Sequence, residues 1–479
     1  MLEYVRLGFA SNSSSSHSIL LLNEKVKQRC PEAGYPGPFD SDFMLTNEAG
    51  KLEYLQNQCF LNFKQSIGTA AAKKLVKAMF KKDFQIKDID HQSIMCISDK
   101  PALALKMEFL KQLTDYLAKN DKVAIWGAWD SGDGEGYDAY PGLPKNLFTA
   151  LSNDTVVKKD GPYQWTLFDK GYGYKLKLKL NDLLAPVARP ANPELLDLSI
   201  TDRCLSNCSF CYRASTKEGG FASLEKIKKL ITGAANLGVF EIVFGGGEPT
   251  LHPDFPKILE YANTLGIAAN FTTNSMAWTE DVATLFPIMK NTSSITISVH
   301  SLKDLKEKEA ALEGARQKLD ALRHQDPLAF GYSFECFYRI IYQLVVDIIP
   351  DQELIEILKY ASSKRTRLSL VGFKALGRAK ELVPEKKKAL KATLETNYDY
   401  SEAPNILSVD TCFLKEYPEF IQALTCNTRE GWESFYIDAT NDYFALSSFS
   451  PVTKKIDLAA SALELEDEMH GFFKNLIPE

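Results

Sequence analysis

Six times between residues 195 and 378, a short apolar segment of strand character gives way to a stretch with helical periodicity or a loop. The strand-like segments are LLDLSIT, EIVFGG, AANFTT, SITISV, RIIYQLVV and RLSLVGF. Short apolar runs bounded by turn residues mark strands, and apolar residues three and four apart mark helices. The helical stretches between them include FASLEKIKKLITGAANLG, DFPKILEYANTLG, TEDVATLFPIMK, a charged run from about 304 to 324, and DQELIEILKYASSK. Gly238 and Gly266 stand where the first two should end. Repeats of this kind fold into a parallel sheet covered by helices, either an open doubly wound sheet or a barrel. In a barrel the chemistry sits at the C-terminal ends of the strands. The residues with the strongest chemical content all fall there.

The flanking regions read differently. Residues 51–82 and 102–120 carry helical periodicity, KVAIWGAW and YGYKLKLKLNDLL read as strands, and APVARPANPE, with three prolines in ten residues, reads as a connector. Near the C-terminus, SFYIDATNDYFALSSF suggests a strand pair turning at Thr440, Asn441 and Asp442. The expected fold is therefore α/β: an α+β N-terminal domain over 1–190, a barrel or sheet domain over 191–380 and a small C-terminal cap over 381–479. A length of 479 residues accommodates this many domains.

Composition excludes several classes. A net charge of −6 argues against a nucleic-acid coat protein. No apolar run approaches the roughly 18–20 residues that span a bilayer. The N-terminus lacks a basic leader followed by a continuous apolar core. A cytoplasmic protein without a membrane partner is expected. Nine cysteines form an odd, scattered set that does not suit a disulfide framework, yet three of them fall within eight residues.

That cluster is TDRCLSNCSFCYRAS, just past the first strand. Thiolates are soft ligands for zinc, copper(I) or iron–sulfur clusters. Three in one loop can each serve one iron of a cubane and leave the fourth iron open to a small chelating molecule. A zinc knuckle remains open on spacing alone, although it needs a fourth ligand, and the next histidine is His252. Past the second strand comes EIVFGGGEPTLHP. Its glycines let backbone approach a ligand closely, and Glu248 offers a carboxylate that could accept from an ammonium. As one strand–helix unit separates the two motifs, they fall side by side on one rim.

Together these residues resemble the radical S-adenosylmethionine superfamily, with its CxxxCxΦC motif (Φ aromatic) after the first strand and GGEP after the second. Here they are Cys204, Cys208, Phe210 and Cys211, then Gly246, Gly247, Glu248 and Pro249. The resemblance continues through Thr273 and Asn274, Ser298 and His300, and Val371 to Ala379. It implies a partial (βα)6 barrel of TIM type, a [4Fe–4S] cluster on the three cysteines, and S-adenosylmethionine as cosubstrate. By the same resemblance Gly246, Gly247 and Glu248 bind the methionine ammonium, and Ser298 and Asn274 its carboxylate or the ribose. Tyr212 offers backbone to the adenine, with Phe210 and Val371 in apolar contact. Some relatives pair the cofactor carboxylate with an arginine further along, but none occurs here between Ser298 and Arg316. No other residue is given a catalytic role.

The C-terminal segment resembles a shortened SPASM/twitch-like cap. Cys412 and Cys426 are too few for an auxiliary cluster of four thiolates, and buried apolar thiols are expected. The loop carrying Asp130, Asp133, Glu135 and Asp138 lacks the ligand order of a calcium loop and reads as a solvated turn. His17 and His91 are isolated and have no assigned role.

The implied activity is reductive cleavage of S-adenosylmethionine to a 5′-deoxyadenosyl radical that abstracts hydrogen from a substrate. An external one-electron donor of flavodoxin or ferredoxin type is implied. The first substrate class is a ribosomally made peptide, whose leader the N-terminal domain could hold by strand addition. The alternative is a nucleotide or nucleic acid base, which the basic KLKLKL strand and the aromatics Trp126, Trp129 and Tyr137 would permit and the overall acidity opposes.

Overall fold

The computed structural model describes residues 15–21, 43–45, 47–81, 100–119, 123–129, 155–169, 175–181, 188–325, 339–364, 366–384, 386–398, 407–423, 430–457 and 461–475. It divides into two compact units, Met1–Ala188 and Arg189–Glu479. The acidic loop at 130–138, His91, Tyr137 and Cys426 lie outside the described residues.

In the first unit β1 (Ser15–Leu21), β2 (Phe43–Leu45) and β3 (Val123–Trp129) form an antiparallel sheet in the order β1-β3-β2. Helices α1 (Glu48–Ile67), α2 (Thr69–Phe80) and α3 (Lys100–Lys119) pack on one another. The helical periodicity of residues 51–82 runs on without a break, but the chain divides it at Gly68, whose φ of 80° no continuing helix allows. A second antiparallel sheet holds β4 (Thr155–Lys159), β5 (Gln164–Asp169) and β6 (Lys175–Lys179), with β5 central. Trp165 of β5 is fully buried, sets its ring against Phe109 and donates its indole N–H to Gln112 Oε1 at 2.9 Å.

The second unit is built on one ten-stranded sheet. Its parallel run is β7 (Leu195–Thr201), β8 (Glu241–Gly246), β9 (Ala268–Thr273), β10 (Ser294–Ser298), β11 (Ile340–Val345) and β12 (Arg367–Val371), each pairing with the next. Helices α4 (Leu224–Asn236), α5 (Phe255–Thr264), α6 (Val282–Asn291), α7 (Leu302–Gln325) and α8 (Asp351–Lys364) connect them. This is the partial (βα)6 barrel that the family resemblance implies. Leu196, Leu198, Ile242, Phe244, Phe271, Ile295, Ile297, Leu344, Leu368 and Leu370 are fully buried against the helices. Because strand side chains alternate in direction, Asp197, Ser199 and Thr201 of β7 face the other way, into the barrel. Ser223 and Asp281 cap α4 and α6 through side-chain acceptors, and Gly238 and Gly266 follow α4 and α5 with positive φ.

The C-terminal strand pair does something its sequence does not announce. After α9 (Leu390–Asn397), β13 (Leu407–Val409) adds to the sheet beside β12. Then, past α10 (Thr411–Glu416), β14 (Ser434–Asp438) pairs in parallel with β7. The antiparallel β15 (Tyr443–Ala445) and β16 (Thr453–Lys455) continue from it, and α11 (Ala462–Asn475) packs on α4. Both flanks of the six-strand barrel are thus extended by C-terminal residues. Phe435, Ile437 and Phe444 are buried in the same core as the barrel strands. Arg189 anchors the start of this unit to its end, donating to the carbonyls of Gly431, Trp432 and Phe473. No helix among the described residues is long and apolar enough to cross a membrane.

Candidate metal centre and cofactor site

The cysteine loop leaves β7 at Thr201 and folds back on itself. Thr201 bridges Phe221, Arg203 bridges Thr216, and the Cys204 N–H donates to the Thr216 carbonyl at 2.8 Å. Within it, Cys211 donates to the Cys208 carbonyl at 3.3 Å and Ala214 to that of Cys211 at 3.2 Å. Cys204, Cys208 and Cys211 are half-buried free thiols. Burial pushes the Cys208 thiol up, the neighbouring Cys204 and Cys211 add to this, and Arg378 opposes it. Among the described residues no three His, Cys, Asp or Glu side chains converge on one point that a metal ion could fill. Three thiols in one loop match the soft donor set of a [4Fe–4S] cubane with one iron left free of protein.

A second loop, after β12, clamps the first. Arg378 donates from Nε to the Cys208 carbonyl (2.9 Å), from Nη1 to that of Ser215 (2.6 Å) and from its backbone N–H to that of Cys211 (3.0 Å). Gly377, with φ of 55°, lies so close to the Tyr212 carbonyl that a Cβ would collide with it. Sequence reading assigns Arg378 nothing; its one signal is that it belongs to the VGFKALGRA stretch.

The glycine strand end lies directly beside the cysteine loop. Gly247 donates to the Thr201 carbonyl at 2.6 Å and Glu248 to that of Arg203 at 2.8 Å. Any side chain at Gly246 would strike Thr201, and one at Gly247 would strike Arg203. The Glu248 carboxylate is buried and fully engaged. It accepts from the Thr250 N–H and hydroxyl (3.3 and 2.7 Å), the Thr273 hydroxyl (2.7 Å), and the Asn274 and Ser275 N–H groups (2.9 and 3.1 Å). Its side chain therefore ties the end of β8 to the end of β9, and what this strand end presents outward is backbone.

Asn274 and Ser298 meet at a residue that sequence reading missed. Lys308 of α7 is buried and donates to Asn274 Oδ1 (2.7 Å), the Ser298 carbonyl (2.6 Å) and Asp304 Oδ2 (3.0 Å). With Oδ1 so held, the Asn274 amide N–H₂ turns to Ser206 Oγ in the cysteine loop, at 3.1 Å. Arg316 instead pairs with Glu313 on an exposed face of α7. The His300 ring packs edge-on against Phe210 at 5.1 Å, and burial, then Lys308, keep it below the usual imidazole range against the pull of Asp304. Lys308→Met should remove all three bonds and strand Asp304 beside the His300 backbone. We expect a loss of roughly 3 kcal/mol in urea unfolding, largely restored by Lys308→Arg.

The remaining site residues gather at the same mouth. Val371 is nearly buried at the end of β12. Lys374 lies 4.8 Å from the Tyr212 ring and 5.1 Å from that of Phe449, with Ser448 Oγ at 3.1 Å and Asp410 Oδ2 at 3.8 Å. Inside the barrel, burial pushes the Asp197 carboxyl up to about 6, against the pull of Lys374 and Arg213. Cys412 is buried with its thiol pushed up to about 11, again by burial first, and lies 3.5 Å from the Phe373 carbonyl.

A family model described as the Radical SAM superfamily matches residues 198–369. GTP 3′,8-cyclase of Haemophilus influenzae is 38% identical over 113 residues, 22% of this chain and 33% of the relative. Mycofactocin maturase MftC of Mycobacterium tuberculosis is 34% identical over 93 residues, 19% of this chain and 24% of the relative. The chain thus spans a third or less of the length of these curated relatives. Among solved structures, Streptococcus suis SuiB bound to precursor peptide SuiA has a TM-score of 0.49 and 14% identity, covering 68% of this chain and 90% of that one.

Proposed function

The chain belongs to the radical S-adenosylmethionine superfamily of enzymes through residues 198–369, and from that premise we propose that it modifies a ribosomally synthesised peptide. The observation that carries the chemistry is three unpaired, half-buried cysteines in one loop, set against the backbone of Gly246–Glu248. Members of the superfamily use a [4Fe–4S] cluster and S-adenosylmethionine, and in this reading Cys204, Cys208 and Cys211 hold the cluster. When bound, the pair supplies a 5′-deoxyadenosyl radical and methionine from one electron, delivered by an external flavodoxin- or ferredoxin-type donor.

The chain's own residues bind, orient and enclose. Backbone at Gly246, Gly247 and Glu248 would hold the methionine ammonium, while Asn274, fixed by Lys308, and Ser298 would hold its carboxylate or the ribose. Tyr212 backbone and the Phe210 and Val371 side chains would hold the adenine. The inward residues Asp197 and Ser199, with Lys374 at the mouth, give the substrate a polar, water-poor chamber. The reading takes the enzyme as cytoplasmic.

The peptide reading is supported by similarity to the mycofactocin maturase. It is also supported by the β4–β5–β6 sheet of the first unit, whose β4 and β6 are its edge strands among the described residues and could accept an added strand. A nucleotide substrate is the second reading, favoured by the similarity to GTP 3′,8-cyclases. Anaerobic reconstitution tests the shared core: about four irons and four sulfides per chain are expected. A chain shortened to Arg189–Glu479 tests the substrate role of the first unit. It should keep its iron and lose turnover of the true substrate; full turnover would refute that role.

A further inference from the structure

The cysteine loop is bracketed by two charged residues, each two positions from a cysteine: Asp202 before Cys204 and Arg213 after Cys211. Their side chains meet. Arg213 pairs through Nη2 with Asp202 Oδ1 and, at 2.9 Å, with Asp438 Oδ2 at the end of β14. Its Nη1 donates to the Tyr436 hydroxyl, also on β14. The side chains of Arg213 and Asp438 are 7% and 2% exposed, so the pair is shielded from water. Asn441, in the turn after β14, closes the circuit by donating to Asp202 Oδ2 at 2.9 Å and to Asp438 Oδ2 at 3.2 Å. The other Asp438 oxygen accepts from the Thr440 and Asn441 N–H groups, both at 3.0 Å.

We infer that Asp438 and Tyr436 of the C-terminal strand are positioning residues of the metal centre, holding the two ends of the cysteine loop together through Arg213. The inference rests on the reading that the loop carries a cluster, and gives a task to a C-terminal segment that supplies no ligand of its own. Three features lead to it. The network spans both ends of the ligand loop. Its anchor is a strand hydrogen-bonded in register to β7, from which the loop departs. And its charges partly offset one another two residues from Cys204 and Cys211, whose thiols become anionic when they bind metal, because Asp438 and Asp202 flank Arg213 and leave a single net negative charge. A buried ion pair that loses one partner leaves an uncompensated charge, and net charge near a cluster sets its potential.

The test uses the full chain, reconstituted anaerobically, as wild type, Asp438→Asn, Arg213→Gln, the double variant and the milder Tyr436→Phe. Two quantities are read: the rate at which a chelator strips iron from the oxidised protein, and the midpoint potential from a titration followed by electron paramagnetic resonance. Asp438→Asn removes one of the two anions that flank Arg213, which takes the network from a net negative charge to neutral and should raise the potential, whereas Arg213→Gln leaves both carboxylates uncompensated and should lower it. The double variant should lie nearer wild type than either single one. Each single variant should lose iron roughly tenfold faster or more, and Tyr436→Phe should do so by a smaller factor at unchanged unfolding midpoint. Equal potentials in all variants, with iron loss that merely follows lowered thermal stability, would overturn the inference. Should the charge variants fail to fold, Tyr436→Phe decides: iron loss at the wild-type rate overturns it. A wild-type chain that binds no iron would instead sink the functional reading, and this inference with it.

Discussion

Cys204→Ala, Cys208→Ala and Cys211→Ala are each expected to leave a folded chain that no longer holds an intact cluster. The three thiols are half-buried and make no disulfide, and the loop is held by backbone bonds, Arg378 and Arg213 rather than by the sulfurs. Removing a thiol therefore costs the fold little and costs the cubane one of only three protein ligands. Iron and sulfide analysis with the visible absorption checks this. Cys412→Ser should leave the iron content unchanged, because that buried thiol faces the Phe373 carbonyl. A wild-type count of roughly eight irons would contradict a single cubane and return Cys412 and Cys426 to consideration as ligands.

Glu248→Ala is expected to cost roughly 4 kcal/mol in denaturant unfolding, because a buried carboxylate with several charge-assisted bonds disappears and leaves donors unpaired. The same change should weaken S-adenosylmethionine binding by about tenfold or more, since Asn274 loses the anchor of its backbone and each tenfold corresponds to only about 1.4 kcal/mol. Iron content should stay intact. The bonds joining this strand end to the cysteine loop are the backbone ones from Gly247 to Thr201 and from Glu248 to Arg203, which no side-chain substitution removes. Glu248→Gln, able to keep some acceptors, should fall between. Loss of the cluster in Glu248→Ala would show that the carboxylate supports the metal loop as well as the ligand side.

The strand–helix repeat could be read from sequence because its strands are short apolar runs separated by amphipathic helices with glycine stops, while the barrel is implied only by the family resemblance. The segments LLDLSIT, EIVFGG and AANFTT coincide with β7, β8 and β9. The parallel docking of β14 on β7 could not. Phe435, Tyr436, Ile437 and Asp438 are all buried, so no alternation marks one face, and a strand's partner is a long-range choice made by packing of Phe435 and Ile437 in the shared core. Gly68 hid for a related reason, since helical periodicity continues on both sides of it. Lys308 shows the limit most clearly. Its segment, SLKDLKEKEAALEG, reads as a solvated helix face, and only the tertiary fold turns that one lysine inward to Asn274 and Ser298. Glu248 carried the opposite error of emphasis: the motif marks the position, but the carboxylate is used up by the chain itself.

We propose that this chain cleaves S-adenosylmethionine reductively at a cluster on Cys204, Cys208 and Cys211. The most direct measurement is anaerobic incubation of the reconstituted full chain with dithionite and S-adenosylmethionine, followed by mass-spectrometric quantification of 5′-deoxyadenosine and methionine. Slow formation of both in equal amounts is expected even without substrate, and none when the three cysteines are replaced by alanine. A protein carrying about four irons, demonstrably reduced, that yields neither product would contradict the account.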